Sequence, residues 1–294
     1  MMHPLLYYKT IKGIISNMNR PIISFEFFPP KNEAAFENLA EVAHTLKALK
    51  PSFVTVTFGA GGSTKSGTFD TARFLQDRCG LTVGAHLSYF GFRKDELFAY
   101  ADQLWAAGIK HLVALRGDIP AGTDFAAYQG DDYFHYTSDF VEALLTRHPF
   151  DISVGAYPEK HPDAPSMEAD LIALQKKCSA GAMRAITQFF FDTSIYAQFL
   201  KLVAEHHIKT PMVPGLLPIG DLQKIKGFAG KCGATLPDGV VAQLTGCMDS
   251  QQAAISFLSE QIKDMTALNV PHIHFYTLNR SDLIMPACVT SQLI

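Results

Sequence analysis

Apolar and polar residues alternate along this chain with two different periods. Short runs rich in β-branched and aromatic residues read as strands: IISFEFF at 22–28, FVTVTF at 53–58, LTVGAHL at 81–87 and HLVALR at 111–116. The series continues with DISVGAY at 151–157, RAITQFF at 184–190, PMVPGLL at 211–217 and HIHFYTL at 272–278. Between them apolar positions recur every three to four residues, as in EAAFENLAEVAHTLKALK (33–50) and KDELFAYADQLWAAGI (94–109), the period of helices with one buried face. Asn32 stands where it can cap the first helix, and Gly80, Gly108 and Gly181 follow helices where a left-handed residue ends the last turn. Repeated strand–helix alternation implies parallel pairing, because each helix carries the chain back to the same end of the sheet. Eight such units at roughly 30-residue spacing predict an α/β fold, a (βα)8 TIM barrel. The interval between the seventh and eighth strands is about twice as long, so one or two extra helices are expected there.

No Gly/Ser/Pro-rich linker, repeat or shift of composition divides the chain. Residues 21–294 are therefore expected to form one barrel domain, with 1–20 a loose N-terminal extension in which Lys9 and Lys12 break the apolar character. Met18 is an alternative start to Met1. With 294 residues, 48% hydrophobic and 18% charged, the sequence is core-forming. A formal net charge of −3 gives no electrostatic reason to expect nucleic acid or an anionic membrane as a partner. The five cysteines are scattered without a C-x-x-C pair, which disfavours a zinc ribbon or a disulfide scaffold and suggests free thiols in the cytoplasm. No apolar run approaches the ~20 residues that span a bilayer.

Polar residues gather at the C-terminal ends of the strands, where barrel active sites lie. The first strand ends with Glu26, the second with Thr57 and the third with His86. The fourth runs into Arg116-Gly117-Asp118, the fifth into Tyr157 and, past the turn, His161. The sixth offers Gln188, and the last Tyr276, Asn279 and Arg280. Strand alternation places Ser24 and Glu26 on one face and Ile23, Phe25 and Phe27 on the other, so the aromatic face packs on helices and Glu26 points into the barrel mouth. Thr55 and Thr57 share a face, as do Thr82, Gly84 and His86, and these small interior residues leave room for a large ligand. A carboxyl flanked by Phe25, Phe27, Phe28 and Pro29-Pro30 is poorly solvated, which raises its pKa and suits it to proton donation; the alternative is a structural salt bridge to an arginine. Gly117 lets the turn pass close to a ligand that Arg116 and Asp118 contact. Gly59-Ala60-Gly61-Gly62-Ser63 matches no phosphate-loop signature but suits a tight loop near a cofactor. His272 and His274 share a strand face without a third ligand at metal spacing, so no metal site is expected.

Several long segments, in order, resemble one family. SFEFFPPK (24–31), VTVTFGAGGST (54–64), HLVALRGDIP (111–120), AYPEKHP (156–162), RAITQFFFD (184–192), PGLLPI (214–219) and HFYTLNR (274–280) are similar to the methylenetetrahydrofolate reductases, nearest their short bacterial form. The resemblance implies non-covalent FAD on a (βα)8 barrel and reduction of 5,10-methylenetetrahydrofolate to 5-methyltetrahydrofolate, which supplies methyl groups for methionine synthesis. NADH or NADPH is the implied reductant, NADH preferred, in a ping-pong scheme, and the assembly is homo-oligomeric. It makes Glu26 the acid that opens the folate ring to an iminium and places Asp118 near flavin and pterin. Thr57, His86, Arg116, Gly117, Tyr136, Ser138, Tyr157, His161, Asp170 and Lys177 are implied to hold FAD together with Asp118. Gln188, Phe228, Tyr276 and Arg280 are implied to meet the substrate with Glu26 and Asp118. Ala173 and Lys224 depart from the family pattern, where a flavin-contacting Asn and a ligand-contacting Gln are common, and 123–135 aligns poorly.

Two other classes use similar parts. A flavin-free barrel enzyme, such as a folate-dependent methyltransferase or an aldolase-like lyase, also needs strand-end acid and amide groups. An aldolase further needs a Schiff-base lysine at a strand end, and no strand end here offers one. A non-catalytic ligand-binding barrel leaves Glu26 and Asp118 in an apolar mouth without a purpose.

Overall fold

The computed structural model describes residues 20–58, 65–119 and 122–294. Strand and helix alternate from the start: β1 (Ile22–Phe27), α1 (Glu33–Lys47), β2 (Phe53–Val56), α2 (Lys65–Cys79), β3 (Val83–Ser88), α3 (Lys94–Ala106) and β4 (His111–Leu115). They continue as α4 (Thr137–Arg147), β5 (Asp151–Ala156), α5 (Met167–Ser179), β6 (Arg184–Thr187), α6 (Thr193–Glu205), β7 (Met212–Val213) and β8 (Gly215–Leu216). After these come α7 (Leu222–Cys232), α8 (Asp238–Thr245), α9 (Ser250–Ala267), β9 (His272–Tyr276) and α10 (Ile284–Thr290). Every strand pair is parallel, in the order β7-β6-β5-β4-β3-β2-β1-β9-β8. This is the expected α/β barrel, and α7 and α8 are the extra helices between the last two staves.

The seventh predicted strand is split. Pro214 has no N–H to give a ladder and divides the segment, so Met212–Val213 pairs with β6 while Gly215–Leu216 pairs with β9. The ring of strands is completed through this split stave. The Pro214 carbonyl accepts from His274 N at 3.0 Å, and Gly215 N donates to Thr187 Oγ1 at 3.0 Å. A Cβ at position 215 would lie 2.2 Å from the Thr187 carbonyl oxygen, so only glycine permits this approach of β8 to β6.

Side-chain alternation follows the sequence pattern. Ile23, Phe25 and Phe27 are buried in the continuous apolar cluster of strands and helices, and Phe25 packs on Phe275 at 5.9 Å between ring centres. Each such fully buried aromatic contributes roughly 1.5–3 kcal/mol. Asn32 caps α1 by accepting from Ala35 N at 3.0 Å, and Gly80, Gly108 and Gly181 take positive φ as expected. The helical patterns overran the helices: α1 stops at Lys47 and α3 at Ala106, and Lys50 turns the chain toward β2 at φ 52°. Predicted strands likewise end early, since 57–58 and 188–190 leave the sheet to start the mouth loops. Thr57 N and Gln188 N still donate to Phe27 O (2.9 Å) and Ala156 O (2.8 Å), carrying the ladder one residue further.

At the N-terminal ends of the strands the barrel has a charged floor. Arg184 donates to both carboxylate oxygens of Asp151, at 2.6 and 2.8 Å, and to Ser153 Oγ at 3.0 Å, and its guanidinium lies over the Phe53 ring. His111 stacks on the Phe53 ring with centres 5.1 Å apart, and its Nδ1 lies 3.2 Å from Asp151 Oδ2. Burial works to raise the Asp151 carboxyl, but His111 and Arg184 outweigh it and hold it well below the usual range. Among the described residues no helix is long and apolar enough to cross a membrane. The segment 1–19 and the glycine-rich run at 59–63 lie outside the described residues. The poorly aligning stretch 123–135 contains a 3-10 turn, Phe125–Tyr128, and Tyr128 packs on Phe90 and Tyr133.

Candidate active site

At the opposite end the strands deliver their polar residues to a cleft of about 770 Å³. Arg116, Gly117 and Asp118 reach it from the end of β4, Tyr157 and His161 from β5, Lys177 from α5, Gln188 from β6 and Phe228 from α7. A volume of this size lies within the ~300–1,000 Å³ of small-molecule and cofactor sites. Eight of the residues singled out in the sequence thus share one concavity.

One wall is polar. Arg116 donates to Asp163 Oδ2 at 2.6 Å, and that contact lowers the Asp163 carboxyl. Gly117 has φ +91°, and a Cβ there would meet Ser88 Cβ at 2.8 Å, so the turn needs glycine on both counts. Asp118 is exposed at the rim. The Lys177 ammonium donates to Gly155 O at 2.6 Å; burial lowers its pKa while Asp170 opposes the shift. Asp170 also accepts from His161 N at 2.8 Å. His161 Nδ1 accepts from Asp163 N at 3.0 Å, so the neutral ring carries its proton on Nε2 as a donor, and burial followed by Arg116 lowers its pKa. Tyr157 packs edge-on against His161, and burial pushes its hydroxyl up to about 12.

Phe228 adds an aromatic ring to the lining, and Phe189 and Tyr276 lie behind it, outside the lining. Phe228 is 40% exposed and stacks on Phe189, with ring centres 5.3 Å apart. Phe189 meets Tyr276 edge-on at 6.0 Å. The Tyr276 hydroxyl is committed to Thr187 O at 2.8 Å, and burial pushes its pKa well above the ordinary value. Gln188 Oε1 accepts from Phe189 N at 3.0 Å.

Glu26 lies inside the barrel, 8% exposed. Among the described residues the basic side chains within 4 Å of its carboxylate are two imidazoles, His86 Nε2 at 3.4 Å and His274 Nε2 at 3.9 Å from Oε2, with no arginine or lysine. His86 Nε2 is also 3.3 Å from Thr55 Oγ1, and burial lowers its pKa although Glu26 works the other way. Ser24 Oγ bridges His272 Nε2 (2.8 Å) and His274 Nδ1 (2.7 Å), which accounts for the two histidines on one strand face.

Other residues singled out stand apart from the cleft lining. Thr57 follows β2, with its carbonyl accepting from Thr68 Oγ1 at 2.9 Å. Tyr136 is 67% exposed and Ser138 donates to Asp139, while Thr137 between them lines the cleft. Arg280 borders a separate cavity of about 200 Å³ with Lys224 and pairs with Asp282, and Lys224 pairs with Asp221 at 3.2 Å. Ala173 is exposed on α5. Asn279, at φ 55°, clamps the Phe28 backbone, accepting from its N at 2.8 Å and donating to its O at 2.9 Å, and so sews β1 to β9. The sequence reading missed Thr137, Asp163, Lys231 and Cys232 in the lining. Phe228, Lys231 and Cys232 are spaced three and four residues apart, a helix-face signal that was available; Asp163 sits in a loop turn that no period marks.

An α/β barrel with titratable and amide groups gathered at the C-terminal ends of its strands is the architecture of a barrel enzyme. A family model described as methylenetetrahydrofolate reductase matches residues 11–292, and the chain belongs to that family. It is 37% identical over 272 residues to the 5,10-methylenetetrahydrofolate reductase of Escherichia coli (strain K12), covering 91% of this chain and 90% of that one. The enzyme of the same name from Buchnera aphidicola subsp. Acyrthosiphon pisum (strain APS) is 37% identical over 271 residues, 90% of each chain. Methylenetetrahydrofolate reductase (NADH) 1 of Arabidopsis thaliana is 33% identical over 281 residues, 90% of this chain and 47% of the plant protein. The chain is an enzyme of this type.

Proposed function

We propose that the protein reduces 5,10-methylenetetrahydrofolate to 5-methyltetrahydrofolate in the cytoplasm by a ping-pong scheme, with non-covalent FAD held in the cleft while a reduced nicotinamide and then the folate occupy the same place beside it. Residues 21–294 act as one catalytic unit in a homo-oligomer, and the product supplies methyl groups for methionine synthesis. NADH is the favoured reductant, in keeping with the name of the plant relative. The observation that carries the reading is the cleft lined by Arg116, Asp118, His161, Lys177, Gln188 and Phe228 at the mouth of a barrel that encloses Glu26.

The donor set fits a flavin dinucleotide. Arg116, Lys177 and the Nε2–H of His161 are suited to a diphosphate, and the positive-φ turn at Gly117 brings backbone close to a ligand. Thr57, His86, Tyr136, Ser138, Tyr157 and Asp170 complete the cofactor set. FAD, when bound, supplies a two-electron carrier that accepts hydride from a nicotinamide and passes it to a carbon centre. Phe228 offers an exposed ring on which a nicotinamide or the folate aromatic ring can stack, while Gln188 and Asp118 supply polar contacts to the pterin. Tyr276 and Arg280 complete the folate contacts.

Glu26 is the proton donor. Opening the folate ring breaks the bond between the methylene carbon and one amine nitrogen. That nitrogen takes the bond's electron pair and a proton from Glu26, and the lone pair of the other nitrogen forms the C=N bond that then receives hydride. A neutral His86 places no fixed cation against the carboxyl, unlike the arginine pairing of Asp151.

The purified protein should be yellow, lose its flavin absorbance on adding NADH and regain it with methylenetetrahydrofolate. FAD at one hundred times its dissociation constant should stabilise the fold by about 2.7 kcal/mol, raising the melting temperature. A colourless protein whose melting temperature does not move at saturating FAD removes the flavin and favours a flavin-free barrel enzyme or a binding barrel.

A further inference from the structure

Barrel interiors are ordinarily filled by layers of branched apolar side chains. Here a polar column runs up the seam of β1 and β9: His272, Ser24 and His274 are each no more than 1% exposed and lead to Glu26. Burying two imidazoles and a hydroxyl is costly unless their polar atoms are satisfied, and an apolar fill would close the barrel equally well. Among the described residues His272 Nδ1 and His274 Nε2 have no hydrogen-bond partner, and the second of these is 3.9 Å from Glu26 Oε2.

The column admits few arrangements of its protons. Ser24 Oγ–H can donate to only one of its two imidazole neighbours. If it donates to His272, that ring must carry its proton on Nδ1, leaving a buried N–H without an acceptor, while a bare His274 Nε2 faces the carboxylate. If it donates to His274 Nδ1, His272 Nε2–H donates to Ser24 Oγ, His274 carries its proton on Nε2 facing Glu26 Oε2 across 3.9 Å, and a lone pair is left at His272 Nδ1. Each arrangement leaves one N–H and one lone pair unpartnered. The second wins because its N–H faces a carboxylate oxygen, whereas the first sets a lone pair against that oxygen and buries an N–H with no acceptor among the described residues. Burial, followed by the neighbouring Arg184, pushes His272 well below its ordinary pKa, consistent with a neutral ring.

We infer that His274, locked as its Nε2–H tautomer by Ser24, is a positioning residue for Glu26, presenting a neutral donor to Oε2 and thereby assigning the transferable proton to Oε1. Both imidazoles approach the same oxygen, which leaves Oε1 as the one to hold that proton. As the proton leaves Oε1 for the departing amine nitrogen, negative charge spreads over both oxygens and His274 Nε2–H closes the 3.9 Å gap onto Oε2. No proton moves along the column; the new hydrogen bond stabilises the carboxylate that the step creates. The inference rests on Glu26 being the folate acid.

Two measurements test it. Nitrogen-15 NMR of histidine-labelled protein should show His274 protonated at Nε2 and bare at Nδ1, and Ser24→Ala should mix the two tautomers. A wild-type His274 protonated at Nδ1, or at both nitrogens, overturns the inference whatever the activity. In stopped-flow half-reactions, His274→Leu should slow folate reduction by about 10- to 100-fold, the rate equivalent of one hydrogen bond to a charged group. Flavin reduction by NADH in that variant should change by less than about threefold. His274→Gln places an amide N–H near the lost Nε2–H and should restore most of the rate. If the folded Gln variant is as slow as the Leu variant, His274 only fills space and the inference fails. If Glu26→Gln keeps full folate reduction, the acid assignment itself falls, while the tautomer is still decided by the spectra.

Discussion

The barrel holds a carboxyl group near each end, and the two are partnered in opposite ways. At the floor, Asp151 is gripped bidentately by Arg184 and flanked by His111, so its negative charge has a fixed counter-charge. Toward the mouth, Glu26 has two imidazoles on one oxygen and, among the described residues, no arginine or lysine within 4 Å. A paired carboxylate stabilises an architecture but has no proton to give; in the proposed function Glu26, without such a cation against it, is the group that gives one. The contrast separates the end of the barrel that carries structure from the end that carries chemistry, as in barrel enzymes generally.

Breaking the floor should cost stability rather than catalysis. Arg184→Ala leaves Asp151 without its cation, and removing one member of a buried pair destabilises by about 3–5 kcal/mol. Because the Asp151 side chain is 24% exposed, the lower end is expected, measured by urea unfolding, with both half-reactions retained in the folded fraction. A loss under about 1 kcal/mol would show that the floor pair is not structural. A smaller effect is expected at the split stave, where Gly215→Ala drives a Cβ against the Thr187 carbonyl. Overpacking of this kind costs typically about 1–3 kcal/mol, read from the same denaturation curves.

The smallest effects should appear on acidification. Buried His86 and His272 have lowered folded pKa values, so the unfolded chain takes up protons first and stability declines as pH falls below the ordinary histidine value of ~6.5. Asp151 is also held low, and Asp102, hydrogen-bonded by Arg147 and then His148, is pulled down to about 2. Their stabilisation is present above the ordinary carboxylate value of ~3.9 and is lost as pH falls toward the folded values. Melting temperature should therefore be level near pH 7, slope down below about 6.5 and fall more steeply below about 4. A rise on acidification through pH ~6 would contradict the lowered values of His86 and His272.

What could be read in advance follows from what has a period. The parallel barrel, its inward Ser24 and Glu26 and the cap at Asn32 follow from alternation and helix signals. The polar strand ends from Arg116 to Gln188 converge because a parallel barrel delivers every strand's C-terminus to one mouth. The split at Pro214 was invisible to a pattern that sees only apolar residues. Asp163 and Thr137 come from loop and helix-start positions, where no repeat predicts direction. Asn279, read as a site group, instead closes the β1–β9 seam through the Phe28 backbone. Nor could spacing show that His272 and His274 share a serine, since Ser24 is 250 residues from His274 and meets it only through strand register.

The most direct test of the account lies at Glu26. Glu26→Gln keeps the size and hydrogen-bonding reach of the side chain but has no acidic proton, and nicotinamide oxidation requires none from this residue. Followed by stopped-flow absorbance in the flavin bands, folate reduction should fall by roughly 10²–10⁴-fold, the usual contribution of general acid catalysis. Flavin reduction by NADH should stay within about tenfold. Equal loss of both half-reactions with FAD retained would mean that Glu26 organises the site rather than donating the proton, and loss of neither would move the acid elsewhere, with Asp118 the next candidate.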